Sequence, residues 1–274
     1  MIYNRPEYWL KKKAEPREAC LTFSSPSSFT LKVHDTNQHW DGVLEYSTDK
    51  TAWTVWDGTM TLSSATSGSE NVLYLRGTGN AIITGSYPES RWVLTGTDIS
   101  CIGNIESLLD YATVESGSHP IMAAYCYQYM FQGCTSLTQA PALPATTLAV
   151  YCYAYMFYGC TSLTQAPALP ATTLAASCYR YMFRNCTSLT KVPALPATTL
   201  TSYCYAYMFY DCSSIKLSTA QTGEYTIAYR IPMSGTGTTV TRALTNMFTG
   251  TGGTFAGTPE INTTYYLSNT NTVV

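Results

Sequence analysis

The chain has 274 residues, of which 45% are hydrophobic and only 12% charged, about half the roughly 25% charged fraction of an ordinary globular domain. Fifteen basic against 17 acidic residues leave a formal charge of -2, so no basic field is present to hold nucleic acid non-specifically. No run of about 18 apolar residues can span a bilayer as a helix, and the Lys/Arg/Glu-rich start lacks the apolar core of a signal peptide.

Taken along the chain, residues 1–18 read as an N-terminal arm with a solvated Lys11-Lys12-Lys13 run. Residues 19–98 contain CLTF (20–23), FTLKVH (29–34), VLEYST (43–48), AWTVWD (52–57), MTLSS (60–64), VLYLRG (72–77), AIITG (81–85) and RWVLTG (91–96). These short alternating segments, separated by turn residues such as Asp49-Lys50 and Asp57-Gly58, predict an antiparallel β-sandwich. EYSTDKTAWT (45–54) resembles a hairpin of bacterial β-sandwich binding modules, some of which bind sugars. Trp40, Trp53 and Trp56 are therefore candidate sugar-stacking side chains, with core packing as the other reading. Asp35, Asp41, Glu45, Asp49 and Asp57 show neither a calcium-loop pattern nor an acid/base partner, and read as surface charges. A sugar-processing enzyme built on them is the weakest of the function classes.

Near residue 100 the composition changes. Residues 1–100 hold nine basic and eleven acidic side chains and all five tryptophans, whereas 135–212 hold only Arg180, Arg184, Lys191 and Asp211. Residues 99–124 read as a cap over a repeat array at 125–218. Segments 135–160, 161–186 and 187–212 are equal in length and identical at most positions, so the period runs from Thr135 to Thr161 to Thr187. YCYQYMFQGC (125–134) is the second half of an earlier unit. Met247-Phe248 echoes Met208-Phe209 at one and a half periods, which predicts a final unit carrying an insertion.

Within a unit, Leu148, Cys152 and Met156 are spaced by four residues and predict one face of a short helix capped by Thr146 or Thr147. Gly133, Gly159, Asn185 and Asp211 stand where such a helix needs a left-handed stop. The CTSLT stretch, with Leu137, Leu163 or Leu189 on one side, predicts a strand, and Pro141 and Pro144 predict an extended return. Such units stack into a solenoid with adjacent coils about 4.7 to 4.9 Å apart. Residues 219–274 are rich in Thr, Gly, Asn and Ser, and the alternation in EYTIAYRI (224–231) and TYYLSN (264–269) predicts a β-rich C-terminal cap.

The phrase MFxGCTSLTxAPALPATTLAxxCYxYMF is similar to the leucine-rich repeats of BspA-type surface proteins, in the MFxGC-containing variant of gut bacterial and bacteriophage genomes. The resemblance implies a mixed fold: an N-terminal antiparallel β-sandwich, then an α/β leucine-rich-repeat solenoid. It also implies a non-enzymatic role in adhesion or recognition. Cell-surface members carry export signals, so the signal-free start points to a bacteriophage virion component, a head or tail decoration or fibre. Its partners would be virion proteins or a host-surface protein or glycan, with a second copy in a homo-oligomer also in view. A bacterial cell-surface adhesin is the alternative.

The chemistry-bearing residues fit that reading. Cys126/152/178/204 and Cys134/160/186/212 form two columns at the repeat period and read as buried free thiols; zinc sites need clustered ligands instead. Tyr127/153/179/205 and Tyr129/155/181/207 are two columns, one expected inside and one at the edge, where a sugar-stacking ladder is the functional reading. Positions that vary between copies mark the expected solvent face: Tyr151, Ala154 and Tyr158; Ser177, Arg180 and Arg184; Tyr203, Ala206 and Tyr210. Of these Tyr151, Tyr158, Arg180, Arg184, Tyr203 and Tyr210 are candidate binding residues, Arg with Tyr being enriched at contact surfaces. Hydroxyl columns Ser136/162/188 and Thr138/164/190 line the strand side. The repeats contain no His and almost no carboxylate, so no triad or acid/base pair can be drawn there and no cofactor or metal is called for.

Overall fold

The computed structural model describes residues 20–35 and 40–274, so the N-terminal arm at 1–18 lies outside the described residues. Among the described residues the structure is mostly β-sheet, in several sheets, with one α-helix. The first strands are β1 (Leu21–Ser25), β2 (Thr30–Val33), β3 (Val43–Ser47), β4 (Thr54–Val55), β5 (Leu62–Ser63), β6 (Ala65–Ser67), β7 (Glu70–Thr78), β8 (Trp92–Thr95) and β9 (Ile99–Ile102). After them come α1 (Ser107–Glu115), β10 (Leu137–Gln139), β11 (Lys191–Val192), β12 (Lys216–Ser218), β13 (Tyr225–Arg230), β14 (Gly252–Gly253), β15 (Thr264–Ser268) and β16 (Thr272–Val273).

A seven-stranded sheet runs β10-β9-β1-β7-β3-β4 with β6 also on β7, and a three-stranded sheet runs β5-β2-β8. Alternation explains both. Leu21, Phe23, Leu44, Leu73 and Leu75 on one sheet, and Leu31, Val33 and Trp92 on the other, are buried, and the Phe23 and Trp92 rings meet at 6.4 Å. Seven of the eight expected segments contain a strand. The exception is 81–85, where Asp41 Oδ1 accepts the Ala81 and Ile82 N–H groups (2.8 and 3.0 Å) and the Cys126 carbonyl accepts those of Ile83 and Thr84. Donors captured in this way are not free for a ladder. The sheet also continues past residue 98. In β9, Ile99 and Cys101 are buried, and the strand pairs antiparallel with β1 and parallel with β10. At the other face, α1 lies so close to β7 that a Cβ on Gly77 would come within 1.7 Å of the Leu108 carbonyl oxygen, an approach only glycine permits.

The repeats depart from expectation in two respects: the strand expected at CTSLT forms as β10 in the first full unit, is only an isolated bridge at Gln165 in the second and is displaced to β11 in the third, and the helix does not form. Residues 125–134 instead make overlapping turns, with the N–H groups of Gln128, Met130, Gln132 and Cys134 donating three residues back (2.8–3.2 Å). The alternate N–H groups leave the unit. Those of Tyr125, Tyr127, Tyr129, Phe131 and Gly133 donate to the carbonyls of Val150, Cys152, Ala154, Met156 and Tyr158 in the next repeat (2.8–3.1 Å). Every fourth residue, as at Tyr125, Tyr129 and Gly133 or Tyr151, Tyr155 and Gly159, has φ between 56° and 76°. A left-handed residue every fourth position is incompatible with an α-helix. The Leu148, Cys152, Met156 line is buried as expected, but its period is four residues, set by the turns. On a true helix, steps of four drift by about 40° each, so Cys160 would already have left the face.

The left-handed stops at Gly133, Gly159, Asn185 and Asp211 are present, with φ of 59–76°; they end a run of turns. The echo at 242–250 forms another such run. Arg242, Asn246 and Gly250 have positive φ, and the Tyr205, Tyr207, Phe209 and Asp211 N–H groups donate to Ala243, Thr245, Met247 and Thr249. In the last part, β13 pairs antiparallel with β15, β12 lies between β15 and β14, and β16 pairs with β11. One hydrophobic cluster runs from Leu21 through the repeats to Leu267. At its junction the Trp92 N–H donates to the Met130 carbonyl (2.7 Å), and Phe131 packs edge-on against Trp92 at 6.1 Å.

Candidate functional site

Stacking identical units places identical rings in register. Tyr127, Tyr153, Tyr179 and Tyr205 are buried and stack at 5.6–5.8 Å. Tyr129, Tyr155, Tyr181 and Tyr207 form the half-buried column, at 4.8, 4.7 and 4.5 Å. The expected division into an inner and an edge column is what the structure has. The ladder as a sugar platform is not: each internal ring face is already covered by the ring of the next repeat. Burial pushes the Tyr155 phenol up to about 12, so it stays a neutral hydroxyl.

Beside the edge column stand the variable positions. Ala154, Ser177 and Ala206 are buried, which removes them from the expected solvent face, while Tyr151, Tyr158, Arg180, Arg184, Tyr203 and Tyr210 are half-buried. Tyr151 stacks on Tyr125 at 5.2 Å, and Ser177 then interrupts that column. The Arg180 guanidinium lies over Tyr181 and Tyr203 at 5.1 and 5.0 Å. Arg184 lies over Tyr158, Tyr181 and Tyr210, closest to Tyr210 at 4.7 Å. Arg242, which the sequence reading passed over, donates to the Tyr203 hydroxyl. Its signal was there, since Arg242 stands to Tyr203 as Met247 stands to Met208. Among the described residues no carboxylate lies within ion-pair distance of these three arginines. The face thus carries cations held over rings, with the Nε donors of Arg180 and Arg184 buried and unpartnered.

The tryptophans part company. Trp40 and Trp56 are buried, with rings 5.2 Å apart, and Trp56 meets Trp92 at 5.7 Å, so these two are core residues and no sugar reaches their faces. Trp53 is half-buried, and the Arg76 guanidinium covers its ring at 4.0 Å. The carboxylates serve locally: Asp49 accepts the Thr51 and Ala52 N–H groups, Asp57 that of Thr59, and Glu45 pairs with Arg76 at 2.8 Å.

All ten cysteines are buried. In one column each thiol donates to a carbonyl of the preceding layer: Cys134 to Trp92, Cys160 to Phe131, Cys186 to Phe157 and Cys212 to Phe183, at 2.9–3.3 Å. Sequence reasoning also passed over Glu106, a buried carboxylate 2.7 Å from His119 Nδ1. The pair lines a cavity of about 330 Å³ against Thr146, Thr147 and Leu148; no local pattern joins Glu106 to His119 across the end of α1.

Comparison with protein-family models, with curated proteins and with solved structures finds no match to this chain.

Proposed function

We propose that the protein is a non-enzymatic recognition component of a bacteriophage virion, a β-sandwich carrying a leucine-rich-repeat solenoid. It binds a virion protein or a host-surface glycan through the face formed by Tyr151, Tyr158, Arg180, Arg184, Tyr203 and Tyr210. The observation that carries this reading is the pair Arg180 and Arg184, held among tyrosine rings without a carboxylate partner among the described residues. Guanidiniums ordered in this way lose little freedom on binding and present planar, charge-assisted donors. The resemblance of the MFxGCTSL repeat to the variant found in bacteriophage genomes supports the virion assignment.

The test is mass spectrometry on gradient-purified phage particles and on washed cell envelopes of the same culture. Stoichiometric recovery of this chain's peptides in the particles is the expected result. Recovery in the envelope alone overturns the virion reading in favour of a cell-surface adhesin.

A further inference from the structure

We propose that the gap between β10 of the first full repeat and residues 163–167 of the second is a slot that takes an extended peptide strand from a partner protein. On their strand sides the repeats are bonded unevenly. The Thr190 and Lys191 N–H groups donate to the Thr164 carbonyl at 3.0 and 3.2 Å, and the Ala166 N–H donates to the Lys191 carbonyl at 2.9 Å, joining the second repeat to the third. β10 of the first repeat is paired on its other side, with β9. Among the described residues no backbone hydrogen bond joins 137–141 to 163–167. A cavity of about 360 Å³ lies there, lined by residues 138–140 and 164–167.

Which groups face the cavity follows from the pleat. The Thr164 carbonyl and Ala166 N–H point to the third repeat, so the N–H and carbonyl of Gln165 between them point the other way, into the slot. Neither glutamine side chain is free to plug it. The Ser100 hydroxyl holds the Gln139 Oε1 at 2.8 Å, and the Lys191 ammonium holds that of Gln165 at 3.0 Å, each in an outer layer.

The molecule already fills an equivalent gap with a strand. Where β11 and β12 part, β16 runs parallel to β11: the Thr272 and Val274 N–H groups donate to the Thr190 and Val192 carbonyls at 3.2 and 2.9 Å, and the Ala194 N–H donates to the Val274 carbonyl at 3.0 Å. The buried Asn271 amide donates to the Thr190 and Ser214 carbonyls and accepts the Lys216 N–H, tying the strand to both neighbours. The same ladder, two repeat interfaces earlier, stands open to another chain. Main-chain pairing supplies the affinity in such strand addition, and short polar or β-branched side chains like those of 271–274 fit the remaining width.

The probe is a fluorescent peptide of residues 268–274, Ser-Asn-Thr-Asn-Thr-Val-Val, titrated against the full chain with hydrogen exchange read in parallel. Saturable binding with slowed exchange of the 163–167 amides is expected. Gln165→Pro, which deletes the donor facing the slot, is expected to bind about tenfold more weakly, whereas Gln165→Ala keeps wild-type affinity because only its main chain is read. No binding, wild-type binding by a folded Gln165→Pro chain, or protection confined to 190–194 overturns the proposal. Should Gln165→Pro fail to fold, the exchange map of the wild-type chain decides alone.

Discussion

The sheets of residues 21–102 and the repeats of 125–250 bury their aromatic side chains by opposite geometries. In the first region the rings meet at varied, non-parallel angles, 72° for Trp56 on Trp92, 48° for Phe23 on Trp92 and 32° for Trp40 on Trp56. In the repeats Phe131, Phe157, Phe183 and Phe209 lie 5–10° from parallel at 5.6–5.7 Å. The reason is symmetry. Side chains related by near-pure translation must be parallel, whereas a core of unlike residues is free to find edge-to-face contacts. The second region accepts whatever stacking its repeat distance dictates, and makes up for it with a ladder of alternate N–H groups and with thiols that donate to carbonyls.

Titration should separate the regions most strongly. Eight of the ten cysteines lie in the repeats, and burial pushes Cys204 up to about 11 and Cys134 to about 12 from an ordinary 9. The folded chain therefore keeps protons that the unfolded chain releases above pH 9. Stability is fully present below that pH and falls as pH rises from 9 toward 12, by up to about 1.4 kcal/mol per pH unit for each such thiol. Denaturant midpoints at pH 8, 9.5 and 10.5 should drop progressively; a constant midpoint would mean that the columns are not buried.

Next in size is Phe157→Ala. Its ring is buried between Phe131 and Phe183, and truncation should cost about 3–5 kcal/mol in chemical denaturation. A loss under about 1 kcal/mol would show that the stack closes over the cavity. Leu163→Ala, at a fully buried position on the strand side of the second full repeat, should cost about 2–5 kcal/mol on the same scale. In the first region Gly77→Ala drives a methyl into the Leu108 carbonyl and should cost about 3 kcal/mol, the upper range for overpacking. Unchanged melting would mean that α1 moves away freely.

Much of this was legible in the residues, and the misses share a cause. Strands of the first region show as period-two alternation because one face of each is buried. The repeat boundaries and the insertion before 242–250 show because near-identical copies align themselves. The turn run was misread because Leu148, Cys152 and Met156 fit a helix over two steps, and the unbroken continuation to Cys160 was the sign of a period of four. Non-glycine left-handed residues such as Tyr155, at φ 59°, carry no local signature, since a cost of roughly 1–2 kcal/mol each is offset by contacts in the next repeat. Of the candidate site, Arg184 between Tyr158 and Tyr210 followed from the repeat register. The burial of Trp40 and Trp56 bears out the core-packing reading of those side chains.

Two smaller effects sharpen the contrast between backbone and surface in the repeats. Gly159 has φ 75°, and a Cβ there would meet nothing closer than 3.8 Å. Gly159→Ala therefore isolates the left-handed backbone cost, about 1 kcal/mol. Gly159→Asn should recover part of it, since Asn185 holds the same position one repeat on at φ 59°.

The smallest stability change is expected where the functional change is largest. Arg180→Ala with Arg184→Ala removes guanidiniums that lie over rings at 4.7–5.6 Å, contacts worth about 0.5–1 kcal/mol each when partly exposed, and touches none of the inter-repeat backbone bonds. Melting should fall by a few degrees at most, while recovery of the chain in particles or on its partner should drop sharply. Arg180→Lys with Arg184→Lys keeps the charge and loses the planar fork, so intermediate binding would show that geometry contributes beyond charge. A folded double alanine variant that binds as wild type would leave the tyrosine and arginine face as packing, and would move the search for the partner surface to the strand side of the repeats.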